Sequence, residues 1–578
     1  MSAHSSAHLS ARSGAIVTAG LRPELFTSRG TLATSRTLVA ALLALLIIAG
    51  FGFRVRGLGA EGLSEDELNK LHAVEDYRAH GLTATNGEHP MLMKALLTAS
   101  VVAADRWNSS SIVSRWAQAR VTTEGALRFP AALFGALSAL LIFLLVAELF
   151  GTETALLSAA LWALDPSAIG FNRIAKEDTF LLFFFLLANI FWLRGQRAAE
   201  SGRGPTENYY WAAAASFGAM VASKYMPHYF AISVSYYHIF QGIPQTRWRM
   251  GKRRWLLFFA IMGATFLLCN PAILLPATWH EMRVFAGEHR IGHDSYEFMG
   301  QLYRNQMTLW LKGVPWYFYF VFTAVKIPLP VVLGFLAGLP LLLRKRLGEG
   351  RFLVFFWLFY FFMPFSVIGG KYTRYFTMAL PVVLITAAIG ARAIAGLARR
   401  LASELFRSEL AGRAVHTALL LLVVGSSLLA SASVEPHYRL YTNTLGGGAE
   451  RAGDYFPHDE FYDASMRDCM REIAARAREG AHVASESPTL AAYYAQAQGR
   501  DDLVAVSLSD QRAVGQLSEG DVIIIARGWR YFSNDALTRR LQGTAAPALS
   551  LQLGGVHSAS VYVLDKAALA ALSDGVNL

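Results

Sequence analysis

The sequence predicts an all-α polytopic membrane domain of about eleven transmembrane helices, followed by a small external α/β domain. Three observations predict it. Of 578 residues, 54% are hydrophobic and only 16% charged, against about 25% charged in a soluble protein. The apolar residues arrive in blocks near the ~20 residues that a helix needs to cross a bilayer. Beyond Val434 the blocks stop, and short apolar runs alternate with helical patterns.

The blocks fall near 37–53, 129–149, 155–170, 179–193, 209–223, 226–241, 255–275, 327–343, 352–369, 376–397 and 415–433. A twelfth apolar stretch, 91–104, is short, follows Pro90 and carries Lys94. Charge decides its status, because Lys and Arg near helix ends mark the cytoplasmic side. Basic clusters precede the first block (Arg12, Arg22, Arg29, Arg36) and follow the fourth (Arg194, Arg197, Arg203) and sixth (Arg247, Arg249, Lys252, Arg253, Arg254). Others follow the eighth (Arg344, Lys345, Arg346, Arg351) and tenth (Arg392, Arg399, Arg400, Arg407, Arg413). Eleven spans put all of them on one face, so 91–104 reads as an interfacial helix within a long first outer loop, 54–127.

Three regions follow: a disordered cytoplasmic tail over 1–36, the transmembrane domain over 37–433 and an external domain over 434–578. The protein is expected in a bacterial-type inner membrane, with a cytoplasmic N-terminus and a periplasmic C-terminal domain. The tail is rich in Ser, Ala, Thr and Arg, a composition too polar to bury a core. The net charge of +11 sits in loops between apolar blocks, which accounts for it without a nucleic-acid partner. Cys269 and Cys469 make no disulfide framework. In the external domain, strands are expected at 481–484, 503–508, 522–526, 549–553 and 560–564, and helices at 462–478 and 489–498.

Ionisable residues at a membrane rim are costly and default to functional candidates. Four clusters stand at the expected outer face. Glu65, Asp66 and Glu67 follow the first helix and suit proton abstraction or a plain helix N-terminus. Glu88 and His89 precede Pro90, where a helix start can hold a phosphate or a metal. Arg128 opens the second span, where a snorkelling arginine is common. Arg173, Lys176, Glu177 and Asp178 form a charged knot before the fourth span. Lys371 to Tyr375, including Arg374, is a further outer element. In 276–314, His280, Glu281, Glu288, His289, His293 and Asp294 show no fixed ligand spacing, so a solvated loop is expected there.

The order of these clusters resembles that of the integral-membrane glycosyltransferase family 39, the protein O-mannosyltransferases, and of their relative the aminoarabinose lipid A transferase. The resembling features are Asp66-Glu67, the His-Pro-x-Leu-x-Lys element at His89 to Lys94, Arg128-Phe129-Pro130, Arg173 with Asp178, Ser223-Lys224-Tyr225, and Arg374-Tyr375 with Pro381 downstream. The match spans roughly 38–400. Ser64-Glu65 stands where eukaryotic members often have an aromatic pair, and Met91 where they have a second proline.

The resemblance implies a GT-C type fold whose external active site takes a polyprenyl-phosphate sugar from the bilayer and transfers the sugar, with inversion, to a protein or lipid acceptor. It implies Asp66 as catalytic base with Glu67 beside it, and Lys94, Arg128, Arg173 and Arg374 as cations for the donor phosphate. His89, Asp178 and Tyr375 take supporting places, and Glu88 is the candidate ligand of a divalent metal ion. The expected function is transfer of a hexose, mannose foremost, to Ser/Thr of exported proteins. The alternatives are a lipid or cell-envelope glycan acceptor and, more remotely, a transporter or lipid flippase. The last would need polar residues within the spans or two related halves with broken helices, neither of which the sequence shows.

Overall fold

The computed structural model describes residues 36–201, 206–241, 252–287 and 294–573. Most of the 1–36 tail, with Arg12, Arg22 and Arg29, lies outside them, as do Arg203, Arg247, Arg249, Glu288, His289 and His293.

Helix occupies each of the eleven expected apolar segments. Among the described residues, six helices are long and apolar enough to cross a membrane: Arg36–Val55 (α1), Thr123–Phe150, Asp178–Ala199, Gly350–Val367, Leu380–Leu405 and Glu409–Ser433. A seventh span results if Thr152–Leu164 and Pro166–Asn172, bent by 60°, count as one. The sequence reads that pair as one continuous segment, and the break has a local cause. Pro166 lacks an N–H and disfavours a helical residue before it, and Asp165 instead caps the second piece by accepting the Ala168 N–H at 2.9 Å. The other expected segments, such as Thr206–Ser223, Phe230–Gln241 and Lys252–Cys269, fall short of the same criterion in length or apolarity.

Helix packing in lipid relies on close backbone approach at small residues. Leu329–Gly338 lies on Leu380–Leu405 through Gly334, Gly338 and Gly390. A Cβ on Gly390 would stand 2.0 Å from the Gly334 carbonyl, and one on Gly338 would stand 2.1 Å from that of Thr386.

The long connection between the first two spans is helical. Glu65–His80 (α2) begins at a capping box, in which Ser64 accepts the Glu67 N–H and the Glu67 side chain accepts the Ser64 N–H, satisfying two donors that a helix start leaves open. Met91–Asn108 (α3) follows Pro90. Loop character is overturned for much of 276–314. Pro276–Gly287 is helical, and Ser295–Phe298 (β1) pairs antiparallel with Gln301–Arg304 (β2). The hairpin turns at Met299-Gly300, both at positive φ (53° and 78°). A methionine there gives none of the Asn-Gly or Asp-Gly signal by which such turns are read.

The C-terminal sheet has strands His482–Ser485 (β3), Val504–Ser507 (β4), Val522–Ala526 (β5), Leu549–Leu553 (β6) and Val556–Val563 (β7), in the order β4-β3-β5-β7-β6. β4, β3 and β5 are parallel, and β7 and β6 run antiparallel. All five expected strands are present, the last beginning four residues early because Gly554 and Gly555 turn β6 directly into β7 at positive φ. The sheet does not close on itself. Val483, Val522 and Ile524 on one face join a single apolar cluster with Met470, Ile473 and Leu490 from the covering helices, and with Leu68, Leu71, Val74, Met93 and Leu97 from α2 and α3. The connection carrying α2 and α3 therefore shares a core with the tail.

Replacing Gly390 by Val should separate Leu380–Leu405 from Leu329–Gly338. The expected outcome is loss of the monodisperse peak in detergent gel filtration and a melting temperature lowered by several degrees, since overpacking costs roughly 1–3 kcal/mol. The same change at Gly396, which has open space around it, should be tolerated.

Candidate active site

The first turn of α2 meets the Arg173–Asp178 knot and the 3-10 segment Thr373–Met378, so residues separated by hundreds of positions face one another. Asp66 Oδ2 stands 2.8 Å from Lys176 Nζ and 3.3 Å from Arg374 Nη1, and it accepts the Tyr462 hydroxyl at 2.7 Å. Burial alone would raise the Asp66 carboxyl, but Lys176 and Arg374, with the hydrogen bonds, hold it well below the usual carboxylate range. Arg374 lies over the rings of Tyr372 (4.4 Å), Tyr375 (5.7 Å) and Tyr462 (5.9 Å), within cation-π range.

The neighbouring acids are paired and closed off. Glu67 takes Arg128 in two bonds, Nε to Oε1 at 2.8 Å and Nη2 to Oε2 at 2.7 Å, and accepts the Ala175 and Ser64 N–H groups at 3.0 Å each. Burial pushes its carboxyl up, and Arg128 with those N–H donors more than reverses this. Glu177 Oε1 lies 3.0 Å from Lys70 Nζ and 3.2 Å from His89 Nδ1. Asp178 accepts Lys224 Nζ at 2.6 Å, and the Lys224 ammonium lies over the Tyr375 ring at 5.1 Å. The side chains of Glu67 and Glu177 are 1% exposed and that of Asp178 6%, whereas Asp66 keeps 34%. Of these four acids, only Asp66 remains open to a substrate.

The expected phosphate cations divide in the same way. Arg128 also donates to the carbonyls of Leu58, Glu61 and Gly62. Arg173 donates to the carbonyls of Phe53, Arg54, Arg56 and Gly57, in and just after the last turn of α1, where a helix leaves acceptors unpaired. Lys94 donates to the carbonyls of Thr85 and Asn86 at 3.0 and 2.7 Å, and burial together with Lys70 brings its pKa down to about 7. These three brace backbone, while Arg374 lies on the open acid. Among the cations, sequence reasoning assigned no site role to Lys176, although the charged knot contained it.

Glu88 is half-buried and accepts the Asn86 side-chain amide, and His89 faces Glu177. No group of three His, Cys, Asp or Glu side chains able to hold a metal occurs among the described residues.

The tail supplies residues that no motif marked. Tyr462 reaches Asp66, and Asp463 Oδ2 accepts the Glu65 N–H at 3.0 Å. Glu61 accepts Arg439 Nη2 at 2.6 Å and lies 2.9 Å from His437 Nδ1.

Residues 116–274 match the family described as dolichyl-phosphate-mannose-protein mannosyltransferase. No curated protein matches the chain. Among solved structures, the apo oligosaccharyltransferase of Archaeoglobus fulgidus is similar at 12% identity, with a TM-score of 0.50 over 85% of this chain and 70% of its own. ArnT from Cupriavidus metallidurans, bound to undecaprenyl phosphate, is similar at 14% identity, with a TM-score of 0.47 over 92% of this chain and 99% of its own. The Pmt1-Pmt2 complex of S. cerevisiae is similar at 17% identity over 45% of this chain and 34% of its own, with a TM-score of 0.29. The fold, shared with the oligosaccharyltransferase, is that of the GT-C glycosyltransferases, in a chain whose apolar helices make it a polytopic membrane protein. Within that fold, the chain is similar to the protein O-mannosyltransferase family, as its motifs implied.

Glu65 provides a pH test of this geometry. Burial, with Asp66 and Glu486 nearby, raises its pKa to about 7, so the fold favours its neutral form. Stability from this residue is then greatest at low pH and declines as pH rises through about 7. Glu65→Gln, which mimics the neutral acid, should raise the melting temperature at pH 8 by roughly 2 °C more than at pH 5. An equal change at both values, read by scanning fluorimetry, would contradict the assignment.

Proposed function

We propose that the chain is a polyprenyl-phosphate-sugar-dependent glycosyltransferase that moves a hexose, mannose foremost, to Ser/Thr hydroxyls of exported proteins, with inversion. The observation that carries this reading is the open Asp66 carboxylate held between two cations at the rim of a GT-C fold. The family match over 116–274 supports mannose from a lipid phosphate.

In the proposed reaction an acceptor hydroxyl loses its proton to Asp66 as its oxygen attacks the anomeric carbon. The bond from that carbon to the donor phosphate oxygen breaks on the opposite side, and the polyprenyl phosphate departs as an anion. Arg374 and Lys176 take up its charge as it develops, which is the most effective use of fixed cations in a site partly closed to water. Both cations rest on Asp66 when no phosphate competes for them, and they keep that carboxyl a weak base. A donor phosphate drawing on them lets its basicity recover, so the base is strongest when the donor is bound. Arg128 and Arg173 act by fixing the backbone around the first turn of α2 and the end of α1, and Asp178 by holding Lys224 beneath Tyr375.

The same reading places the N-terminus in the cytoplasm and the site and tail outside. A cysteine at Leu82, 45% exposed, should react with an impermeant thiol reagent added to intact cells, and labelling only after permeabilisation would reverse the orientation.

Asp66→Asn keeps the shape and removes the base. Transfer from labelled polyprenyl-phosphate mannose to a Ser/Thr-rich peptide should fall by about 10²–10⁴, with expression and melting temperature retained. Transfer within threefold of the unaltered protein would reject Asp66 as base. Label recovered in the lipid fraction of membranes, and not in protein, would transfer the assignment to a lipid acceptor.

A further inference from the structure

The tail segment Pro457–Phe461, with Tyr462 and Asp463 after it, is buried throughout. Its polar side chains bond to separate parts of the site. His458 packs its ring against Tyr296, Tyr372 and Trp529 at 5.2–5.6 Å. Asp459 Oδ2 accepts the Tyr296 hydroxyl at 2.5 Å and the Thr373 N–H at 2.8 Å, one residue before Arg374. Glu460 pairs with Lys326 and accepts the Phe456 N–H. Tyr462 and Asp463 are both left-handed, at φ 46° and 60°, a conformation that bulky L residues adopt where their surroundings over-determine it. The surroundings here are the first turn of α2. The Tyr462 hydroxyl donates to Asp66, and Asp463 accepts the Glu65 N–H on one oxygen and the Ser487 hydroxyl on the other at 3.1 Å.

We propose that Tyr462 is a positioning residue for Asp66, and that Pro457 to Asp463 forms a brace, supplied by the tail, that fixes the Asp66 carboxylate against the Arg374 guanidinium. The proposal rests on the reading of Asp66 as base. Asp459 anchors the Arg374 side and Tyr462 the Asp66 side, so the four residues from Asp459 to Tyr462 carry both contacts. A tail serving only as a stability cap would need apolar contact alone. This one puts a hydroxyl on the open acid, in a backbone conformation that aims it there.

The titratable and charged groups around Asp66 are Glu65 on its own helix, Lys176, Arg374, Tyr372 and Tyr375, and Tyr462, Asp463 and His458 from the tail, with Lys70 and His89 farther off. Tyr462→Phe leaves all of them except the hydroxyl. A donor to a carboxylate favours its charged form, so its loss moves protonation of Asp66 to higher pH.

The test uses purified full-length protein. The carboxyl C=O stretch of Asp66, assigned by infrared difference against Asp66→Asn, should titrate roughly one pH unit higher in Tyr462→Phe. With polyprenyl-phosphate mannose and a Ser/Thr-rich peptide, the lost orientation of the carboxylate should outweigh its gain in basicity and lower kcat roughly tenfold, with KM for the donor within about twofold. An unmoved infrared midpoint together with unchanged kcat would overturn the proposal. If Tyr462→Phe does not fold, Asp459→Ala tests the other end of the brace. It should raise the donor KM severalfold and, because Arg374 helps hold the Asp66 carboxyl low, move the Asp66 midpoint to higher pH, and an unchanged KM would refute the brace. An active Asp66→Asn enzyme, by contrast, rejects the base reading and leaves the infrared test of Tyr462 standing.

Discussion

An ionised carboxylate at the edge of a low-dielectric slab must be paired or neutralised, and the arrangement around Asp66 follows from that constraint. Lys176 comes from the knot before one span, Arg374 from the segment before another, and Tyr462 from the tail. The three partners keep the acid charged and leave a third of its side chain uncovered. Glu67 with Arg128, Glu177 with Lys70 and His89, and Asp178 with Lys224 are paired and closed off. All four acids have cationic partners, and what sets Asp66 apart is its exposure.

Pairing also explains why the charged residues divide into two kinds. Arg128 and Arg173 have their guanidinium donors on backbone carbonyls at the two ends of the turn between α1 and α2. The planar fork of arginine suits it to several carbonyls at once. With that turn held, the capping box at Ser64 sets the direction of α2, and Asp66 follows from it. Glu67 closes both the capping box and the Arg128 pair, so one residue joins the local start of a helix to the packing of the second span.

The tail belongs to this construction. Its sheet buries one face through helices that also cover α2 and α3, and its first buried turn reaches the open acid. The C-terminal domain and the membrane helices therefore share a core and a set of hydrogen bonds, and α2 is fixed from both sides.

The helical segments, the five strands, the 91–104 helix and the charged clusters were legible in the sequence, because periodicity, segment length and the position of Pro and Gly are local properties of the chain. The turn at Asp165-Pro166 was less visible, since the apolar run continues through it. The hairpin at Met299-Gly300 was hidden because its turn lacks the usual residues. Partners were not legible at all. Asp66 and Tyr462 are separated by 396 positions, and nothing near Tyr462 distinguishes it from any other tyrosine. Which acid stays open and which cations turn to backbone carbonyls depends on burial and distance, and these exist only once the helices have packed.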